Sequence, residues 1–198
     1  LISPAKKLDF ETEPKLNDHT QPDLLSQSEI LVKSARRLSR NQLAQTMKLS
    51  DNLADLNYQR YQDFSTPFDL GNAKQAALVF NGDTYVGLDA ASWDEADLDY
   101  AQDHLRILSG LYGVMRPLDL MQPYRLEMAS KLKIRNSKSL TKFWEKTITA
   151  TLNNDEKNIV INLASKEYIN SIQLDQLKAK FISIQFKELK NNEYKVVG

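Results

Sequence analysis

A stretch of 24 residues in the middle of the chain, Leu105–Met128, limits what this sequence can fold into. It holds two of the six glycines and two of the six prolines. Gly110 and Gly113 follow an apolar run with helical spacing, and Pro117 and Pro123 come soon after. A long helix cannot continue through this stretch, because glycine weakens a helix interior and proline breaks it. We therefore expect a helix to end here, at a turn that exposes backbone N–H groups.

The patterns on either side of this stretch are those of a mixed α+β protein. Apolar residues recur at helical spacing in residues 22–64 and 140–152. Short apolar runs such as Ile159–Leu163 are typical of buried strands. The chain has 198 residues, enough for a sizeable core, and shows neither an internal repeat nor a long linker. We predict a single domain, residues 1–198, in which a mixed β-sheet is wrapped by helices.

Composition excludes several classes of function. The chain has no cysteine, which excludes disulfides, thiol nucleophiles and cysteine metal sites. Its two histidines, His19 and His104, share no metal-ligand spacing. The sequence contains neither a nucleotide-binding loop nor a hydrolase motif, a signal peptide or a run long enough to span a bilayer. We expect a cytoplasmic protein without metal, cofactor, recognisable catalytic residues, membrane contact or an evident obligate protein partner.

Charge is distributed unevenly, although the formal net charge is zero. The segment Asp83–Asp103 carries seven acidic residues and neither Lys nor Arg. The segment Ala129–Lys146 carries six Lys and Arg residues and one acidic residue. Such segments can be solvated faces that balance one another. The basic segment can also be a positive surface for an anionic polymer, because local potential rather than net charge steers binding.

The two glycines of the central stretch suggest a helix-hairpin-helix element. In that motif a helix precedes a Gly-hydrophobic-Gly turn, whose N–H groups hold a DNA phosphate. Two residues separate the glycines here, whereas the usual motif has one. The alternative is a helix that ends in glycine and a loop packed on the core. The predicted DNA-binding residues are this turn and the nearby cations, namely Arg106, Gly110, Leu111, Tyr112, Gly113, Arg116, Lys131, Lys133 and Arg135.

A second group of polar residues lies close to predicted strand ends, where ligands often bind in α/β proteins. Arg125 suits a phosphate or a carboxylate, but it can equally pair with Glu127 on the same face of a strand. Ser3 and Lys6 can bind phosphate, act as a Ser–Lys nucleophile pair or open a turn. An enzyme or small-ligand-binding protein is therefore the alternative function. Its polar pocket would be formed by Ser3, Lys6, Tyr85, Tyr124, Arg125, Glu127 and Asn162.

Five blocks, in order along the whole chain, carry a family resemblance. They are LISPAKKLDF at residues 1–10, LSDNLA at 49–54, FNGDTYVGL at 80–88, the central stretch at 105–128 and NLASKEY at 162–168. Together they resemble the YaaA family of bacterial peroxide-stress proteins. The central block is long and unusual, which makes the resemblance specific.

The resemblance implies a function and a fold. It implies cytoplasmic protection against hydrogen peroxide, associated with limiting free intracellular iron and oxidative DNA damage. It also implies binding of double-stranded DNA, with little sequence preference, through a basic cleft and a helix-hairpin-helix-like element on a family-specific fold. Family members usually continue with a further basic segment, so we also expect a C-terminal segment to be missing here.

Overall fold

The structure, a computed structural model, describes residues 1–14, 17–190 and 192–196. It has the predicted mixed α+β architecture, with helices distributed along the whole described chain. The helices are α1 (Leu25–Arg36), α2 (Arg40–Met47), α3 (Asp51–Asp63), α4 (Ala76–Val79), α5 (Asp83–Leu88), α6 (Glu95–His104), α7 (Leu140–Asn154) and α8 (Lys166–Ile169).

The strands are short and form pairs. They are β1 (Lys7–Leu8), β2 (Lys74–Gln75), β3 (Phe80–Asn81), β4 (Ile107–Ser109), β5 (Gly113–Met115), β6 (Leu120–Met121), β7 (Ile159–Asn162), β8 (Lys180–Ser183), β9 (Lys187–Lys190) and β10 (Glu193–Val196). Strands β7 and β8 are parallel, whereas the pairs β1–β3, β2–β6, β4–β5 and β9–β10 are antiparallel.

The first two residues join two of these pairs into one central sheet. Ile2 forms a parallel bridge with Ile107 of β4. On its other side, Leu1 donates from its N atom to Ile161 O at 2.7 Å and accepts from Leu163 N at 2.9 Å. The order across the sheet is therefore β5, β4, residues 1–2, β7 and β8. Four of these five segments run parallel, so their carboxyl ends lie along one edge.

Helix α7 packs against this sheet and fills the centre of the core. Leu140, Trp144, Ile148 and Leu152 recur every four residues, which places them on one face of the helix, and all four are buried. The helix begins where Ser139 Oγ accepts a hydrogen bond from Lys142 N, a side-chain cap that satisfies a terminal N–H group. The spacing predicted this helix correctly.

The central stretch folds differently from the prediction. Helix α6 ends at His104, and the following residues form the antiparallel hairpin of β4 and β5 rather than a helix-hairpin-helix. Leu105 and Leu108 extend the apolar spacing of α6, which is why a helix was expected to continue. Pairing with Ile2 on one side and Met115 on the other makes β4 a buried strand instead. Nonlocal pairing therefore overrides the local helical pattern.

Candidate functional site: a polar cleft at the strand ends

The turn between β4 and β5 lies inside the protein. Leu111 and Tyr112 are fully buried, and Gly110 and Gly113 beside them are buried as well. The backbone N–H groups of Leu111 and Tyr112 donate to Ser109 Oγ at 3.2 and 3.0 Å. These amides already have acceptors in the core and face no solvent. The structure thus corrects the assignment of all four turn residues to a DNA-binding surface.

Two of the predicted DNA-binding arginines form internal ion pairs. Arg106 donates from Nε and Nη2 to the carboxylate of Asp155 at 2.8 and 3.0 Å, and 11% of its side chain is exposed. Arg116 pairs with Asp119 at 3.0 Å and with Asp23 at 3.2 Å. Burial lowers the pKa of Arg116, but the carboxylates of Asp119, Asp23 and Asp155 outweigh burial, so the pKa is raised. Both arginines connect distant parts of the fold, and their assignment to the DNA surface stays a prediction.

The remaining predicted cations lie on a separate surface. Lys131, Lys133 and Arg135 are exposed and alternate with Leu132 and Ile134, which are buried. In the part of the chain that the structure describes, no carboxylate lies within 4 Å of any of these three cations. We call residues 129–138 the basic segment. Glu167 accepts a hydrogen bond from the backbone N–H of Ala129 at the start of this segment, whereas its three cations form no ion pair within the described residues.

A cleft of about 820 Å³ opens at the carboxyl edge of the central sheet. Ser3 follows Ile2, Asn162 ends β7 and Ser183 ends β8, so three neighbouring parallel segments deliver polar side chains to it. Ligands bind at this edge of parallel sheets in many α/β proteins. Six of the seven predicted pocket residues line the cleft, namely Ser3, Lys6, Tyr124, Arg125, Glu127 and Asn162.

Tyr85, the seventh predicted pocket residue, supports the cleft from behind. It lines a smaller neighbouring cavity, and its hydroxyl donates to the carbonyl oxygen of Ser3 at 2.8 Å. Burial raises the pKa of Tyr85, so the phenol stays neutral at ordinary pH. Its assignment to the cleft wall is therefore corrected to a role in holding Ser3 in place.

A buried pair of hydroxyl groups lies beneath the cleft. Tyr124 Oη and Ser109 Oγ are 2.6 Å apart, and Ser109 is the last residue of β4. Either hydroxyl could donate in this pair, but Ser109 Oγ also accepts from the amides of Leu111 and Tyr112, so we infer that Ser109 donates its proton to Tyr124. This leaves the proton of the Tyr124 hydroxyl for another acceptor. Among the described residues, the structure records no such acceptor.

Charged side chains gather on one wall of the cleft. Arg125 donates from Nε and Nη2 to Glu127 Oε1 at 3.1 and 2.7 Å. Lys6 Nζ approaches the same oxygen at 3.4 Å. The ion pair expected between Arg125 and Glu127 is thus present, and it faces a cleft. Burial raises the pKa of Tyr124, whereas the nearby charge of Arg125 acts in the opposite direction.

Asn162 has a structural task in the cleft wall. Its side-chain amide donates to Ser183 Oγ at 3.1 Å, and its side-chain carbonyl accepts from Ala164 N at 2.8 Å. Ser3 Oγ likewise accepts from Ser165 N at 2.9 Å. These bonds fix the loop that follows β7 against the N-terminal residues. Neither side chain resembles an activated nucleophile or base.

Sequence reasoning missed Ser109, which lies beneath the cleft, and several residues that line it. Ser109 was placed in a helix, and Lys166, Glu167 and Tyr168 were not considered as pocket residues. Burial first, and then Tyr124, Glu167 and Glu127 nearby, raise the pKa of Tyr168. The available signal was the position of 165–168 shortly after a predicted strand, where parallel sheets present their binding loops.

Two negative findings concern the described residues. No group of three or more His, Asp or Glu side chains there is arranged to hold a metal ion. No helix of that part of the chain is both long and apolar enough to cross a membrane.

Comparison with known proteins places the chain in a family. The family model described as "Peroxide stress protein YaaA" matches residues 1–198. The chain belongs to the YaaA family. A UPF0246 protein of Pseudoalteromonas translucida is 48% identical over 202 residues, which cover 100% of this chain and 78% of the relative. A UPF0246 protein of Ralstonia nicotianae is 46% identical, covering 79% of the relative, and one of Burkholderia mallei is 47% identical, covering 78%.

Membership of the YaaA family connects the chain with peroxide stress. The names of the three relatives state no substrate and no binding partner. Two surfaces of this YaaA-family chain present charged or polar side chains that could bind a partner or a ligand. They are the basic segment and the polar cleft.

Proposed function

We propose that the chain acts in the cytoplasm against peroxide stress by binding double-stranded DNA through the basic segment. The observation that carries this proposal is the alternation of Lys131, Lys133 and Arg135 with buried Leu132 and Ile134. The two aliphatic side chains anchor the backbone, so the three cations point outward together. A row of outward cations that form no ion pair within the described residues is the electrostatic pattern that attracts a phosphate backbone.

A turn in the basic segment separates its three alternating cations from a fourth. Asn136 has a φ of 64°, and Ile134 and Ser137 form an antiparallel bridge, so the chain turns tightly. Exposed Lys138 follows this turn. Phosphate contacts position a protein on the duplex without reading bases, so we expect little sequence preference.

Covering phosphates offers a link to iron. Cations such as Fe²⁺ accumulate around the phosphates of duplex DNA, and a bound protein displaces these counterions. Less iron at the bound DNA would mean less peroxide-driven oxidation there. This part of the proposal accounts for the protection of DNA without an iron site in the chain itself.

The test is a DNA titration at several salt concentrations with the variant Lys131→Ala/Lys133→Ala/Arg135→Ala. Each lost phosphate contact lowers the slope of log K against log salt by about 0.9. We therefore expect the slope of the triple variant to be shallower by about 3 if every cation contacts one phosphate. Fluorescence anisotropy of a labelled duplex measures the binding constant at each salt concentration and therefore the slope. Duplexes of scrambled sequence should bind with the same affinity as the original duplex.

A matched control removes the same charge elsewhere. Lys33, Arg37 and Lys180 are exposed, and in the described part of the chain none has a carboxylate within 4 Å. Their triple replacement by Ala should change the salt slope little. The proposal fails if the basic-segment variant binds DNA like the parent, or if both triple variants lose affinity equally.

A further inference from the structure

The polar cleft has features of a ligand site that the proposed DNA surface does not use. Its volume of about 820 Å³ is in the range of small-molecule sites. It lies at the carboxyl ends of the parallel segments of the central sheet. Ser109, Asn162 and Ser183 are the last residues of β4, β7 and β8, and Ser3 follows residues 1–2. Ionic and apolar side chains line it together.

The buried hydroxyls of Tyr124 and Ser109 share one hydrogen bond, and among the described residues no further acceptor is recorded for their second proton. Tyr124 is 6% exposed, and its oxygen accepts the proton of Ser109 because the lone pairs of Ser109 serve two backbone amides. A buried donor without an acceptor is costly. Tyr124 lines the cleft, so an acceptor atom there would satisfy its proton.

The charges of the cleft favour an anionic acceptor. Its cations are Lys6, Arg125 and Lys166, and its carboxylates are Glu127 and Glu167. Both carboxylates already accept hydrogen bonds, Glu127 from Arg125 and Glu167 from the amide of Ala129. The cations of the cleft are less completely neutralised by neighbouring carboxylates. Lys6 has 70% of its side chain exposed, and within the described residues Lys166 has no carboxylate within 4 Å.

We propose that the cleft binds a small organic oxyanion, a carboxylate or a phosphate monoester. One anionic oxygen accepts the proton of Tyr124, and Arg125 and Lys6 neutralise its charge. The apolar body of the ligand packs on Leu163, which lines the same cleft and is 49% exposed. Arg125 suits this task because its planar guanidinium can serve Glu127 and an oxyanion at once.

The experiment is isothermal titration calorimetry with four probes at millimolar concentration. Phenyl phosphate and benzoate carry an oxyanion on an apolar ring, benzyl alcohol carries the ring without the charge, and inorganic phosphate carries the charge without the ring. We expect at least one of the two aromatic anions to bind, and to bind more tightly than benzyl alcohol and inorganic phosphate. The stronger of the two aromatic anions identifies the headgroup.

Two variants connect binding to the cleft. Tyr124→Phe removes the proton but keeps the ring, and a hydrogen bond to a charged group is worth about 10- to 100-fold in affinity. Lys6→Gln changes an exposed side chain, so it leaves folding intact, and it should weaken anion binding several-fold. Tyr100→Phe is the control for Tyr124→Phe, since Tyr100 is 67% exposed and lies on α6.

The outcomes separate this proposal from DNA binding. The Lys131→Ala/Lys133→Ala/Arg135→Ala variant should bind the anion like the parent, because its cations lie outside the cleft lining. Absence of binding by both aromatic anions overturns the oxyanion site, and so does equal binding of benzyl alcohol. If Tyr124→Phe fails to fold, unchanged binding by Lys6→Gln overturns it.

Discussion

Gly110 gives the sharpest test of where the central turn lies. A Cβ atom added there would sit 2.1 Å from the carbonyl oxygen of Leu126 and 2.9 Å from its carbonyl carbon, whereas ordinary contact begins at 3.4 Å. The obstacle is backbone, so a side-chain rotation cannot relieve it. Gly110 O also accepts the indole N–H of Trp144 at 2.9 Å, a bond that a shifted backbone would lose.

The expected cost of Gly110→Ala follows from these contacts. Overpacking a core costs about 1–3 kcal/mol, and more when backbone must move. Losing the bond from Trp144 adds about 1 kcal/mol. We expect the free energy of unfolding to fall by about 3–4 kcal/mol, which for a chain of this size lowers Tm by about 10 °C.

Urea unfolding followed by tryptophan fluorescence measures this cost, and Gly87→Ala is its control. Gly87 lies within α5 and has no atom within 4 Å of its added Cβ, so Ala should stabilise the helix by up to about 1 kcal/mol. The reasoning is refuted if the two variants are equally stable. A Gly110→Ala variant that keeps its stability but no longer binds DNA would instead support the predicted DNA-binding role of this turn.

Two further predictions concern internal charges. Asp155→Asn should cost about 2 kcal/mol in urea unfolding, because Arg106 loses its paired charge in a half-buried site, whereas Asp175→Asn at an exposed site should be neutral. The pKa of Asp9 is lowered chiefly by the hydrogen bond from the backbone N–H of Thr12, so Asp9 stabilises the fold above its unfolded pKa and loses this effect as pH falls through its folded pKa. The stability difference between the parent and Asp9→Ala should therefore shrink as the pH falls from about 5 to 3, which urea midpoints across that range measure. A constant difference would contradict the stabilising role of ionised Asp9.

Local patterns predicted the elements whose periodicity is long and matches their burial. Helix α7 is an example, since Leu140, Trp144, Ile148 and Leu152 repeat over three turns and all face the core. The strand at Ile159–Asn162 was also predicted from its apolar run, as part of Ile159–Leu163, but its predicted burial is wrong, because Ile159 and Ile161 are each 52% exposed. In α7 the local preference and the tertiary contacts agree, which is when sequence reasoning succeeds.

The central stretch shows why the rest could not be predicted. Leu105 and Leu108 extend the helical spacing of α6, but β4 pairs with Ile2, more than a hundred positions away in the sequence. Arg106 similarly looks like a surface cation until Asp155 is brought beside it. Such partners are set by the global topology, and no local spacing records them.

The cleft was partly foreseen for a reason that also explains what was missed. Polar residues after apolar runs mark the carboxyl ends of strands, and this rule found Ser3 and Asn162. It could not find Ser109, because that residue was placed in a helix. Once β4 is recognised as a strand, Ser109 becomes its carboxyl end, and the same rule then selects the residue that orients Tyr124. The prediction of a helix in place of β4 is therefore the reason why Ser109 was missed.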